Sequence, residues 1–438
     1  MRRKLYRLLF LLVLFVFAFE LPSVSQPTLS KTSLNSVDEN ETSSIIIVDM
    51  GSTGSRMHAY SMLKPQSQPN NSILELTEIA ISKSPTSNKN TLGNAVADYI
   101  NSPKIVSEHI LPLYNDLAEQ LRNQKLNINQ IPIYFYATGG MRFHEQNKQQ
   151  KLHNQIKQAI IASGHEEKTI ISETISGELE GIFAWLSVNY KLNTLQSRTP
   201  TLAALDMGGA STQVALEYDP KWLHKKNLNL YTLNFNNKKY VVYSKSILGY
   251  GLTQTKKNIT NYNEKQALQE CHLGNYISNK HKNNFKHNLG NDINITASNN
   301  NQSSAGFNYT TCSKLIEVFL KNKKEHVGIA KAIHLAVEHN MKFVAASGYY
   351  YNFNFFNSKS PEDLITSIPD SCHLHRKNFR SKFPNLTEDE LNEACFDATY
   401  LKILLNHAYH LPETYHNFSV PKHDIDWTIG AEIGRAHV

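Results

Sequence analysis

Two stretches of this chain repeat one another. In the first, the β-branched run Ile45-Ile46-Ile47-Val48 ends in Asp49 and passes into Met50-Gly51-Ser52-Thr53-Gly54-Ser55. In the second, Leu202 to Leu205 ends in Asp206 and passes into Met207-Gly208-Gly209-Ala210-Ser211-Thr212. Each copy has a strand-like apolar segment closed by an aspartate, a glycine two residues later, and a hydroxyl residue within the loop. Such a repeat predicts a duplicated domain, each half offering one glycine hairpin to a shared cleft.

The remaining pattern is that of an α/β chain, and 438 residues suit two domains of similar size. Met57 to Tyr60 can resume as a strand after the first hairpin, and Ile131 to Tyr136 reads as another strand before Gly139-Gly140. Ser176 to Tyr190 is predicted helical. Leu179, Ile182, Phe183, Leu186 and Tyr190 fall on one apolar face, and Ser176 can cap the start. Thr387-Glu388-Asp389-Glu390 is a capping box for a helix running through Cys395 to about Leu405. Asn279 to Ser304, dominated by Asn, His, Lys and Ser, reads as a surface loop.

The N-terminus carries Arg2, Arg3, Lys4 and Arg7, followed by an apolar run from Leu8 to Phe19. That run is short of the roughly 20 residues a membrane span needs. It predicts a secretory signal peptide over residues 1–25, cleaved after Ser25, with an uncleaved anchor as the alternative. Residues 26–43 read as a flexible lead-in, and no later segment is long and apolar enough to span. A secreted, periplasmic or extracellular monomer without a stable membrane span is therefore expected. Cys271, Cys312, Cys372 and Cys395 make an even count, which in an exported chain suggests two disulfides with three possible connectivities. Nearest-neighbour pairing is the expectation. Cys372, His373 and His375 lie close together, but no C-x-x-C or H-E-x-x-H accompanies them, so zinc is a weak reading. The formal charge of +7 is scattered, which argues against nucleic acid and leaves at most a mild attraction for anionic substrates.

The loops themselves suggest phosphate chemistry. Glycine lets backbone N–H groups approach an anion closely, and Ser and Thr hydroxyls add donors. Gly51-Ser52-Thr53-Gly54-Ser55 has both and adds the guanidinium of Arg56. Gly208-Gly209-Ala210-Ser211-Thr212 has the same chemistry. Asp49 and Asp206, each at a strand end, could together hold a hydrated Mg²⁺ on a polyphosphate; alternatively each caps its own loop through an Asx turn. Glu180 is a candidate base for water, in the first helical turn between Gly177 and Gly181, which leave room around it. Position alone does not separate it from Glu178 or Glu173, and the helix dipole favours a glutamate there in any case.

Taken in order, five blocks resemble the apyrase family, the ecto-nucleoside triphosphate diphosphohydrolases. They are D-M-G-S-T-G-S-R-M-H-A-Y from Asp49, Y-A-T-G-G-M-R from Tyr136, I-S-G-E-L-E-G-I-F-A-W-L-S-V-N-Y from Ile175, L-D-M-G-G-A-S-T-Q-V from Leu205 and S-G-Y-Y-Y-N-F-N-F-F from Ser347. W-T-I-G-A from Trp427 is similar to the family as well. The resemblance implies an α/β fold of two actin-like (RNase H-like) domains with the active site between them, mapped here to residues 44–174 plus 415–438 and to 175–414. It implies a metal-dependent hydrolase of nucleoside tri- and diphosphates, ending at the monophosphate. Glu180 would be the general base, Ser211 and Gln213 would orient the water, and Asp49 and Asp206 would hold Mg²⁺ or Ca²⁺ through waters. Ser52, Thr53, Gly54, Ser55, Arg56, Thr138, Gly208, Gly209 and Ala210 would cradle the phosphates. Tyr350 would stack on the base, with Tyr349 and Tyr351 as alternatives.

Two positions depart from the family's pattern: Gly139 stands where alanine is usual, which should loosen that loop slightly, and Asn352 stands for threonine. An exopolyphosphatase or guanosine-pentaphosphate phosphohydrolase would share the fold, but the export signal, the cysteines and Gln213 favour the apyrase reading. The export signal also disfavours a sugar or acetate kinase, and intact Glu180, Ser211 and Gln213 disfavour a non-catalytic nucleotide binder.

Overall fold

In the computed structural model, the β-branched segment Ser43–Met50 (β1) pairs antiparallel with Ser55–Leu63 (β2), which pairs with Glu75–Glu78 (β3). Ile133–Ala137 (β4) and Ile170–Thr174 (β5) add in parallel on the other side of β1, giving the order β3-β2-β1-β4-β5. The structure describes residues 43–63, 75–79, 95–102, 104–195, 197, 199–222, 228–235, 238–262, 271, 307–374, 376–384, 386 and 388–437. The expected signal peptide, most of the lead-in, Asn279 to Ser304, His375 and Thr387 lie outside them.

The second sheet repeats the plan. Ala203–Met207 (β6) and Ser211–Glu217 (β7) form the hairpin, Leu230–Phe235 (β8) and Lys238–Leu248 (β9) extend it antiparallel, and Phe343–Ser347 (β10) and Phe418–Ser419 (β11) add in parallel beyond β6. Its order, β11-β10-β6-β7-β9-β8, places β6 where β1 stands and β7 where β2 stands. The duplication read from the two aspartate loops is thus a duplication of sheets, and the architecture is the α/β, actin-like (RNase H-like) one.

Helices Leu111–Asn123 (α1) and Gln146–Ala162 (α2) bury Leu117, Leu121, Ile156 and Ile160 against Ile46, Val48 and Phe135 of the first sheet. Helix Gly177–Lys191 (α3) behaves differently from its sequence pattern. An amphipathic helix was the expectation, yet Ile182, Phe183, Ala184, Trp185, Leu186, Ser187 and Val188 are all buried. α3 shares one core with Ile45, Ile47 and Tyr136 of the first sheet, with Ala204, Ala215 and Val242 of the second, and with Ile429 and Ile433 of the C-terminal helix. Flanked in this way, it has almost no face left for water.

The second sheet carries most of the remaining helices: Leu252–Tyr262 (α4), Tyr309–Lys321 (α5), Val327–Glu338 (α6), Gly348–Phe355 (α7), Pro361–Cys372 (α8), Arg376–Lys382 (α9) and Glu388–Ile403 (α10). The last helix, Thr428–His437 (α11), returns to α3. Cys271–Cys312 and Cys372–Cys395 are the disulfides, the nearest-neighbour pairing; the second ties α8 to α10. Loops of 41 and 23 residues correspond to about 3–4 kcal/mol each from loss of unfolded-state freedom. Among the described residues no helix is long and apolar enough to cross a membrane.

Candidate active site

The two hairpins meet. Asp49 sits opposite Arg56 in the first, and Asp206 opposite Gln213 in the second. A Cβ added at Gly209 would lie 2.7 Å from Thr53 Cγ2 and 2.8 Å from Ser52 Oγ, so the loops touch and glycine is what permits it. The turn after β4 closes on the same place. A Cβ at Gly139 would lie 2.7 Å from Ser211 Oγ and 2.9 Å from Ala210 Cβ. Gly139 therefore tightens the approach of the two halves instead of merely loosening its loop. Thr138, which precedes it, is buried.

Glu180 reaches this point because of how α3 is seated. Ser176 caps the helix, its Oγ accepting from the Leu179 N–H at 3.1 Å. Gly177 and Gly181 do not open space for the carboxylate, as the sequence suggested; they admit β9. A Cβ would lie 2.3 Å from Ser246 Oγ at Gly177 and 2.4 Å from Ser244 Oγ at Gly181. Ser244 Oγ also donates to Glu178 O at 2.7 Å. The helix start is thereby drawn onto the second hairpin. Gln213 Nε2 donates to Glu180 Oε2 at 3.0 Å and to Ser211 Oγ at 2.9 Å, and lies 3.2 Å from Ser246 Oγ. Glu178 instead faces Lys245 at 3.3 Å. Of the two first-turn glutamates, Glu180 is the one brought to Ser211 and Gln213.

Sequence reasoning missed several members. Arg142, quoted only as the end of a motif, pairs with Glu180 Oε2 at 2.6 Å and Ser211 Oγ at 2.9 Å. Asp424 accepts the Ser347 N–H at 2.8 Å, and Ser347 has the uncommon backbone angles φ 52, ψ −126, a conformation that costs about 1–3 kcal/mol. Asp426 caps α11 through Thr428 and faces His58. Two acids spaced by one residue before Trp427 were the signal available for this pair. The tyrosines also separate. Tyr349 is buried, with its hydroxyl 3.5 Å from Thr212 Oγ1. Tyr350 donates to the Lys422 carbonyl at 3.3 Å. Tyr351 is 61 % exposed and its hydroxyl lies beside Asp424.

The acids lack adequate compensation. Burial pushes the Asp49 carboxyl up to about 8, with Asp426 adding to the effect and Arg56, at 3.7 Å, opposing it. Burial likewise pushes Asp206 up to about 7, with Glu180 adding. Glu180 is raised by burial despite Arg142. Both aspartates lie within electrostatic reach of Glu180 and Asp426, which add to the upward shift of each. Asp49 Oδ1 is a buried acceptor without a partner. Buried carboxylates of this kind fit a hard divalent cation. Among the described residues no three His, Cys, Asp or Glu side chains converge to grip an ion directly.

A pH dependence follows. Carboxyls raised from 3.8 toward 7 and 8 keep protons in the folded chain that the unfolded chain releases. Their contribution to stability is whole below about pH 4 and is lost as pH rises through 7 to 8. A cation that replaces those protons should stabilise the fold by about 2.7 kcal/mol at pH 8 when present at 100 times its Kd there, and by less at pH 5 at the same concentration. Thermal unfolding with and without Mg²⁺ or Ca²⁺ at both pH values measures this. An equal or smaller gain at pH 8 contradicts it.

A model of the GDA1/CD39 (nucleoside phosphatase) family matches residues 35–437. Probable apyrase 3 of Arabidopsis thaliana is 25% identical over 415 residues, covering 89% of this chain and 81% of that protein. Ectonucleoside triphosphate diphosphohydrolase 1 of Bos taurus is 28% identical over 347 residues, covering 69% and 65%. Guanosine-diphosphatase of Schizosaccharomyces pombe is 27% identical over 240 residues, covering 52% and 39%. In fold, the chain is similar to a nucleoside triphosphate hydrolase from Neospora caninum, with a TM-score of 0.58 at 14% identity over 90% of this chain and 92% of that one. With the family's model running almost end to end over a duplicated fold whose hairpins converge on Glu180, this chain belongs to the GDA1/CD39 family of nucleoside phosphatases.

Proposed function

We propose that this protein removes the terminal phosphate from nucleoside tri- and diphosphates by direct attack of water, ending at the monophosphate. The observation that carries the reading is the buried set Glu180–Gln213–Ser211, placed where the two glycine hairpins touch. Gln213 Oε1 is a buried acceptor without a partner. A water there can give one hydrogen to Gln213 Oε1 and the other to Glu180. Its oxygen then bonds to the terminal phosphorus as the bridging P–O bond breaks, and Glu180 keeps the proton. Ser52, Thr53, Gly54, Ser55, Arg56, Thr138, Gly208, Gly209 and Ala210 are assigned to the phosphate chain.

Asp49 and Asp206 would hold a divalent cation, Mg²⁺ or Ca²⁺, through waters, and that ion would neutralise charge on the phosphates. Tyr351, edge-on to Tyr350 at 5.2 Å, is the more exposed ring for stacking on a base, with Tyr350 as its support. The two disulfides support an oxidising, exported location, which agrees with the expected signal peptide.

Phosphate release from nucleoside tri-, di- and monophosphates and from inorganic polyphosphate, with and without a chelator, tests the reading. The expected result is cation-dependent release from tri- and diphosphates and none from monophosphates. Release from polyphosphate alone, or full activity in chelator, overturns it.

A further inference from the structure

The position of Arg142 goes beyond what the family motif assigned. It follows the turn after β4, in the short helical stretch Met141–Phe143, and its side chain is only 14% exposed. Nη2 donates to Glu180 Oε2 and to Ser211 Oγ at once. Gln213 Nε2 donates to the same two atoms. Glu180 Oε2 thus receives two donors, which fixes the plane of the carboxylate and presents Oε1. Ser211 Oγ accepts two N–H groups, so its own hydrogen must point at a third partner.

The guanidinium also has a slot made for it. A Cβ at Gly177 would lie 2.6 Å from Arg142 Nη1, and one at Gly139 would lie 3.3 Å from Nη2. Within that slot Arg142 Nε and Nη1 are buried without partners. An ion pair serving only the fold gains nothing from burying two unmet donors, which carry a desolvation cost.

We propose that Arg142 is the positioning residue of the hydrolytic centre: from one nitrogen it pins Glu180 Oε2 and Ser211 Oγ, leaving Oε1 to receive the proton of the attacking water and the serine hydroxyl to donate to the substrate. This rests on the reading of Glu180 as base. The test uses the full chain with Mg²⁺ and a nucleoside triphosphate. Arg142→Ala should lower kcat on the order of 100-fold while KM stays within about threefold. Millimolar methylguanidinium should restore Arg142→Ala by about tenfold or more, because it refills a formed slot. Arg142→Lys, which keeps the charge but offers one nitrogen and no planar fork, should fall between the two.

Wild-type kcat in Arg142→Ala, or a loss confined to KM, overturns the assignment. So does a folded Arg142→Ala with low kcat that neither methylguanidinium nor lysine recovers. If Arg142→Ala does not fold, Arg142→Lys decides alone, and kcat at the wild-type level refutes the proposal. Wild-type protein that releases no phosphate overturns the underlying function as well, whereas active wild-type beside an unaltered variant overturns only the role of Arg142.

Discussion

Replacing Glu180 with glutamine should lower kcat by on the order of 10² to 10⁴ and leave nucleotide binding measurable. The amide has nearly the carboxylate's size and still offers an oxygen to Arg142 and Gln213, both of which now bond Oε2. What it loses is the capacity to take a proton. Alanine would be a poorer probe, since it strands the Arg142 guanidinium in a buried place with no counter-charge. Single-turnover phosphate release, set beside equilibrium nucleotide binding, separates chemistry from affinity. Turnover at the wild-type level would remove Glu180 as the base. Loss of binding in parallel with turnover would instead make it a ligand of the substrate.

The second large effect is on stability. Gly430, in the first turn of α11, faces the middle of α3. A Cβ there would lie 1.8 Å from the Phe183 carbonyl oxygen and 2.9 Å from the Ser187 nitrogen. These are backbone atoms that cannot swing aside, and the Gly430 N–H is already donated to Ser187 Oγ at 2.7 Å. Gly430→Ala should therefore cost about 3 kcal/mol or more, because α11 must lift from a core that reaches both sheets. Gly328→Ala is the control. It lies in α6, where a Cβ meets nothing nearer than 3.8 Å, and relief of backbone freedom should make it neutral or stabilising by up to about 1 kcal/mol. Comparable denaturant midpoints for the two variants would show that the contact between α11 and α3 is not the constraint described.

What the sequence made legible was local. A β-branched run closed by aspartate and glycine can do little but form a strand and a tight loop, so β1, β6 and both hairpins were readable. Ser176 met the capping expectation because a cap involves only residues a few positions apart. What was not legible depended on distant partners. α3 looked one-sided because periodicity counts apolar residues and takes no account of a second sheet on the far side. Gly177 and Gly181 looked like room for Glu180 because nothing nearby in sequence reveals Ser244 and Ser246, which occupy that room. Arg142 stood in plain view inside a motif, yet its bonds run 38 and 69 residues along the chain, to Glu180 and Ser211. Asp424 and Asp426 join the aspartates of β1 and β6 only after the C-terminal segment has crossed back.

Matching strand order in the two sheets means that the residues facing Asp49 and Asp206 occupy equivalent stations, yet one is a cation, Arg56, and the other an amide, Gln213. Two hooks of one plan thus make a pair of unlike jaws, one presenting a charge and the other a neutral amide. Neither jaw alone is a tool. A small slip of one half against the other, with each half intact, would part the loops at Gly209 and Gly139 where they touch.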